Sequence, residues 1–406
     1  MEDRKDGKFT FIPYIYYFLF KSWRYELLFA QITERKNISF KHLFVYIILA
    51  LCVAASLYFV YHNHEWYDRP IAEVISTKIV ETTEMEDMNG NKDKLYSQQI
   101  VAELKNGDQK GETIHLTNEY SFSGATDQEY HPGNELFISI DSSSSGTTVL
   151  TGNIEDVKRD TYMMIIGWVF ILLLLVVGKK QGLFSLITLG VNAVILSYAL
   201  DIYLNSADIS LLVVCSIGVI IFTGISLLFV NGFNEKTYAA VVATLIGTFM
   251  TLLIAYVVVG FTAGNGLRYE EMQFLTRPYE MVFMAGILVG CLGAVMDVAI
   301  TLSSSIFGLY EKNPDIPIKA LRKSGFDIGK DIMGTMTNIL FFVYISGAIP
   351  MLILFFKNAS PLGFTLSMNL SLEMARALTG GIGIVLAIPI AIYTSIFFVN
   401  LKKARL

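Results

Sequence analysis

The chain has 406 residues, of which 53% are apolar and only 17% charged, where soluble domains carry about 25% charged residues. Its net charge of −5 and mean hydropathy of +0.51 exclude a disordered chain and a nucleic-acid binder, which would need a basic face. The apolar residues lie in blocks long enough to cross a bilayer, about 20 residues each, which excludes a single soluble globule.

Residues 1–42 form a cytoplasmic segment. An aromatic stretch from Phe9 to Phe20, interrupted by Pro13, suits an interfacial helix or, equally, an amphipathic packing segment. The first span, 43–61, reads as a signal anchor rather than a cleaved signal peptide, because so much chain precedes it. Residues 62–161 are a polar, extracytoplasmic domain with 19 acids and 8 bases. Alternating runs at 71–80, 97–104, 112–117, 135–140 and 147–151, separated by turns such as Asn106-Gly107-Asp108 and Pro132-Gly133-Asn134, predict five short strands in a small OB or SH3-like barrel. The run from Asp141 to Gly146 is a flexible hairpin tip.

A seven-helix membrane domain, 162–400, then follows, with spans at 162–178, 183–203, 209–230, 237–262, 281–308, 332–356 and 380–400. A cytoplasmic tail, 401–406, ends the chain. The expected fold is thus mostly α, a polytopic membrane protein of eight transmembrane helices with an all-β outer domain. With the N-terminus inside, 19 of the 31 Lys and Arg fall in cytoplasmic segments and 12 outside, 8 of those within the folded outer domain. This pattern places both termini in the cytoplasm and leaves no Lys or Arg inside a span. Cys52, Cys215 and Cys291 sit singly in apolar blocks, so no disulfide or CxxC site is expected. His62 and His64, two residues apart, do not form a helical ligand pair, and no metal or cofactor is expected.

The spans contain one deep carboxylate, Asp297. A charge at the bilayer centre costs roughly 3 kcal/mol on insertion scales, so such a group usually serves a function and faces protein or water. Gly286, Gly290, Gly293, Asp297, Thr301, Ser304 and Gly308 follow steps of three and four and so form one helical stripe. The glycines admit a neighbouring helix, and the hydroxyls can hydrogen-bond the carboxyl or water. Asp297 reads as a protonatable group or a binder of a visiting cation; a protonated Asp making one structural hydrogen bond is the simpler alternative. In the next span Asp331, Thr335 and Asn338 share a face, Asp327 extends it by a turn, and Gly334 permits close packing. Thr237, Thr244, Thr248 and Thr251 in the fifth span read as packing.

Three stretches carry a resemblance: Gly232-Phe233-Asn234-Glu235-Lys236-Thr237, Gly293 through Ile300 around Asp297, and Gly329 through Asn338. The chain resembles the YibE/F-like family of bacterial integral membrane proteins over its whole length, a family whose members as a rule have no assigned biochemical function. More loosely, residues 209–400 look like the permease core of resistance–nodulation–division proteins and SecD/SecF. There a membrane Asp, a Glu, an amphipathic connector and a Thr-rich turn follow one another, as Asp297, Glu311, residues 318–330 and Thr335/Thr337 do here. The second acid of twin-Asp pumps is Met296 in this chain, and the lysine that pairs with it is missing. Such a half-unit implies a homodimer or a related membrane subunit as partner.

Two functions compete. One is a proton-linked transport or export component for an unknown small-molecule, ion or lipid substrate, with Asp297, Thr301, Ser304, Asp331, Thr335 and Asn338 in the coupling path. The other is a non-enzymatic scaffold or envelope-assembly factor that binds a partner through the outer domain. An enzyme is not expected, since no span holds paired Asp, a Ser/His dyad or HExxH.

Overall fold

The computed structural model describes residues 40–124, 127–141, 150–206, 209–272 and 278–405. The aromatic stretch from Phe9 to Phe20 and most of the serine-rich tip, 142–149, lie outside the described residues.

Helix α1, Phe40–Tyr61, covers the first predicted span, with an apolar stretch at Ile47–Tyr61. Five strands follow: β1 (Ile71–Glu86), β2 (Lys92–Leu104), β3 (Thr113–Ser121), β4 (Glu135–Ile140) and β5 (Leu150–Val157). They form one sheet in the order β1-β2-β3-β5-β4, which closes where β1 pairs antiparallel with β4, Ile71 opposite Phe137. β3 and β5 run parallel, Ile114 opposite Leu150. The alternation read from sequence is what fills the interior: Ala72 and Val74, then Ile100, Ala102 and Leu104, then Ile114 and Leu116, and Leu136 and Ile138 are all buried together. Strands β1, β2 and β3 are several residues longer than expected, and β5 runs on to Val157 rather than ending at 151.

A buried polar knot ties the ends of this domain together. The Lys158 side chain is 1% exposed, and its Nζ lies 2.7 Å from Glu135 and 3.1 Å from Asp160. It also donates to the Val60 carbonyl at the end of α1. The Asn106 side chain accepts from the Ile71 amide and donates to the carbonyls of His64, Tyr67 and Arg69, fixing the chain where it enters β1.

Six further helices complete the chain: α2 (Asp160–Asn205), α3 (Leu211–Asn231), α4 (Glu235–Thr262), α5 (Tyr279–Lys312), α6 (Ile318–Lys357) and α7 (Leu362–Arg405). All six are long and apolar enough to cross a membrane. That is consistent with a membrane protein, as is their wide exposure of Leu, Ile, Val and Phe. Three boundaries differ from expectation. The second and third predicted spans lie in one helical run, α2, which breaks at Lys179 (φ 51°). Residues eight apart on a straight helix are about 12 Å apart along its axis. Yet a Cβ on Gly182 would collide with the Leu174 carbonyl, so α2 turns sharply at Lys179 into two arms. The amphipathic connector at 318–330 and the seventh predicted span form one continuous helix, α6. The last helix begins at Leu362, well before 380, so Glu373 and Arg376 lie within it. This corrects the expectation that Arg376 sits in a connection.

Helices α4 to α7 enclose a core of small and branched residues, among them Ala239, Ala243, Val295, Ala299, Leu302, Ile384, Ala387 and Ile392. Thr237, Thr244, Thr248 and Thr251 on α4 are fully buried in this packing. Thr244 and Thr251 donate to carbonyls four residues back, which removes their need for a partner elsewhere. Across the core, Ser395 donates to Ser303 at 2.9 Å.

Candidate functional site

The site centres on the outward face of α5. Its inward face, Val295, Val298, Ala299, Leu302 and Ile306, is buried against the bundle. Helical phase therefore turns the predicted stripe the other way: Gly286, Gly290, Gly293, Asp297 and Thr301 are exposed, and Ser304 and Gly308 half-buried. Sequence reasoning expected this stripe to face the chain's own neighbours around a buried carboxylate. Instead, Asp297 is exposed on the chain's own surface and, among the described residues, has neither a hydrogen-bond nor an ion-pair partner. The bundle's close packing lies on the opposite side of α5, and only the start of the stripe meets neighbours, Arg376 of α7 at Gly286 and Tyr344 of α6 at Gly290.

The α6 residues behave likewise. Asp331, Gly334, Thr335 and Asn338 are exposed. Asp327 is exposed too and faces Lys330 at 3.7 Å, one turn along. Among the described residues no hydrogen bond joins Asp297 to Thr301, Ser304, Thr335 or Asn338. What orients α6 is apolar. A Cβ on Gly325 would meet Ile392, and one on Gly329 would meet Ile388, so these two glycines let α6 lie close on α7. Gly334 has open space around it and makes no such contact. The two polar faces are thus presented outward by helices held from behind.

The turn at 232–237 has a local explanation. Gly232 takes φ 79° and ends α3. The Asn234 side chain then accepts from the amide and hydroxyl of Thr237 at the start of α4. This stretch is a helix–turn–helix corner, not a binding loop.

Sequence reasoning missed one constellation. Toward the α6–α7 connection, Arg376 pairs with Glu373 one turn away, both about three-quarters buried. The guanidinium lies 5.5 Å from the ring centroid of Phe283 on α5. Tyr344 on α6 sets its hydroxyl against Gly290, within the same α5 stripe. The i,i+3 acid–base spacing was the available signal. Among the described residues no group of three or more His, Cys, Asp or Glu could hold a metal ion. His64 instead lies 2.7 Å from Glu135, and His62 from the Tyr58 carbonyl by 2.9 Å.

No curated protein and no solved structure matches the chain. Two family models do: YibE/F family N-terminal domain over residues 65–157, and YibE/F-like protein over residues 166–401. The first coincides with the strand domain and the second with the helices from α2 onward. Neither is a resistance–nodulation–division or SecD/SecF model. The chain belongs to the YibE/F-like family.

Proposed function

We propose that this protein is a proton-linked membrane transport or export component, with Asp297 as the group that takes up and releases the proton. In this reading eight spans cross the membrane, the two arms of α2 counting separately. Both termini are cytoplasmic and residues 62–161 lie outside. The closed strand order with its parallel β3–β5 pairing supports reading that domain as a small OB-type barrel.

One observation carries the proposal: an unpaired carboxylate stands on the outward face of a helix that is otherwise apolar enough to cross the bilayer. Hydrocarbon against it would cost roughly 3 kcal/mol on insertion scales. The flanking glycines and Thr301 would gain nothing from lipid either. A second copy of the chain meeting this face, with water between the two carboxylates, removes the penalty. It also gives each Asp297 a changing environment, which is what a coupling group needs.

A hydrophobic carbodiimide tests the assignment, because it reacts with protonated carboxyls inside membranes. Mass spectrometry of labelled membranes should find Asp297 modified, increasingly as pH falls, and Asp297→Asn should abolish that adduct while the protein still accumulates. Labelling that is absent at every pH would end the proposal.

A second reading has its own support. On β1, Ile75 (52% exposed) and Ile79 (47%) share one face of the strand, an apolar surface suited to a partner. On this scaffold reading, deleting residues 70–155 removes the phenotype and Asp297→Asn does not.

A further inference from the structure

A cavity of about 740 Å³ opens between α6, α7 and the turn at Tyr269–Glu271, within the range of ligand pockets. Its walls are largely apolar and adaptable, with Met272, Met351 and Met368 beside Phe355 and Leu372. Its charges are unequal. The Arg376 guanidinium is matched by Glu373 in its own helix and lies over the Phe283 ring, so these two opposite charges offset each other. The carboxylate of Glu270 also lines the cavity, is exposed, and among the described residues has no ion-pair partner. Among the described residues the cavity therefore holds one uncompensated negative charge, together with a methionine-rich wall. Tyr344 links it to the Asp297 helix, because the same side chain lines the cavity and touches Gly290.

We propose that this cavity binds an amphipathic organic cation, its positive head at Glu270 and its apolar body along Met351, Met368 and Leu372. An anion of the same shape would meet two carboxylates and one guanidinium already spent. A fully apolar ligand would leave Glu270 unpaired beside it, which costs affinity. The inference names a substrate class for the transport reading, on which its physiological meaning rests, but binding itself does not require Asp297 to titrate.

Two ions of nearly identical shape and opposite charge, tetraphenylphosphonium and tetraphenylborate, provide the test on the purified full-length chain, with empty detergent micelles as background. Saturable binding of the phosphonium is expected, with the borate weaker by about tenfold or more. Gly347 lines the cavity and has open space where a Cβ would sit, so Gly347→Phe should occupy part of the cavity and remove binding. Glu270→Gln should weaken the phosphonium by about fivefold and narrow the gap to the borate. If Gly347→Phe does not fold, Glu270→Gln alone decides. Equal binding of the two ions, or phosphonium binding unchanged in both variants, overturns the proposal. A chain that binds the cation but shows no carbodiimide adduct at Asp297 would refute the proton reading alone, and the converse would refute the ligand alone.

Discussion

Lys158 Nζ lies 2.7 Å from the Glu135 carboxylate although the lysine side chain is 1% exposed. A cation so enclosed is tolerated only because Asp160 and the Val60 carbonyl complete its contacts. The same four residues join the end of α1, the start of β4 and the start of α2. Removing the cation would leave two largely buried carboxylates without their shared counter-charge, Glu135 keeping only His64 and Asp160 only Asn63 and Tyr67 among the described side chains. Lys158→Met should therefore cost about 3–5 kcal/mol, the range for breaking one partner of a buried pair. Protease resistance of the strand domain within the full chain reads this loss. Adding Glu135→Gln to Lys158→Met should recover part of it, since one orphaned charge then disappears.

The same lysine sets an alkaline limit. Burial alone would lower its pKa, but the hydrogen bonds and charges of Glu135 and Asp160 outweigh burial and hold it above the usual lysine value. A group whose pKa is raised by folding contributes stability that is fully present below its unfolded value, about 10.4, and lost as pH rises through the higher folded value. Pulse proteolysis should show a strand domain insensitive to pH from neutrality to about 10 and opening above it. Lys158→Met should lack this transition. A parent domain that loosens well below pH 10 would contradict the account.

Gly182 makes a second structural demand. With Lys179 in a conformation foreign to helices, the chain turns and brings Gly182 onto the Leu174 carbonyl. Backbone cannot yield as a flexible side-chain end can. Gly182→Ala should lower the melting temperature of the purified chain, at a cost on the order of 1–3 kcal/mol for overpacking. The same change at Gly190, where a Cβ meets nothing within 4 Å, should be neutral or stabilising, because alanine favours helix.

How much of this was legible in the sequence depended on whether the information was local. The alternation of apolar residues at 71–80, 97–104, 112–117 and 135–140 identified four strands, because a strand buried on one face must repeat every two residues. The five-helix run from Leu211 onward was legible from hydropathy. The start of α7 was not, since Asn369, Glu373 and Arg376 dilute the apolar signal that their ion pair and partial burial make affordable. The Lys158 knot joins positions about a hundred residues apart, and nothing local announces it. The stripe through Asp297 was readable as one face of a helix, but periodicity says only which residues share a face. That the face turns away from the bundle follows from Val295, Val298 and Leu302 filling the other side, a property of the packed whole.

That outward orientation gives the sharpest prediction about assembly. If a second copy covers the stripe by a two-fold axis, each residue near the axis lies opposite its own counterpart. Thr301, one turn from Asp297, is exposed and makes no side-chain hydrogen bond, its carbonyl alone accepting from Ser305. In a chain freed of Cys52, Cys215 and Cys291, Thr301→Cys should form a disulfide-linked dimer in oxidised membranes, and so should Gly293→Cys. Leu253→Cys on α4, 53% exposed on a surface suited to lipid, should stay monomeric under the same conditions. The separation matters because random collisions in a crowded bilayer would cross-link all three alike. Dimers from the two stripe positions alone would place Asp297 against its counterpart, whereas equal cross-linking at Leu253 would leave the carboxylate without the partner that offsets its cost in the membrane.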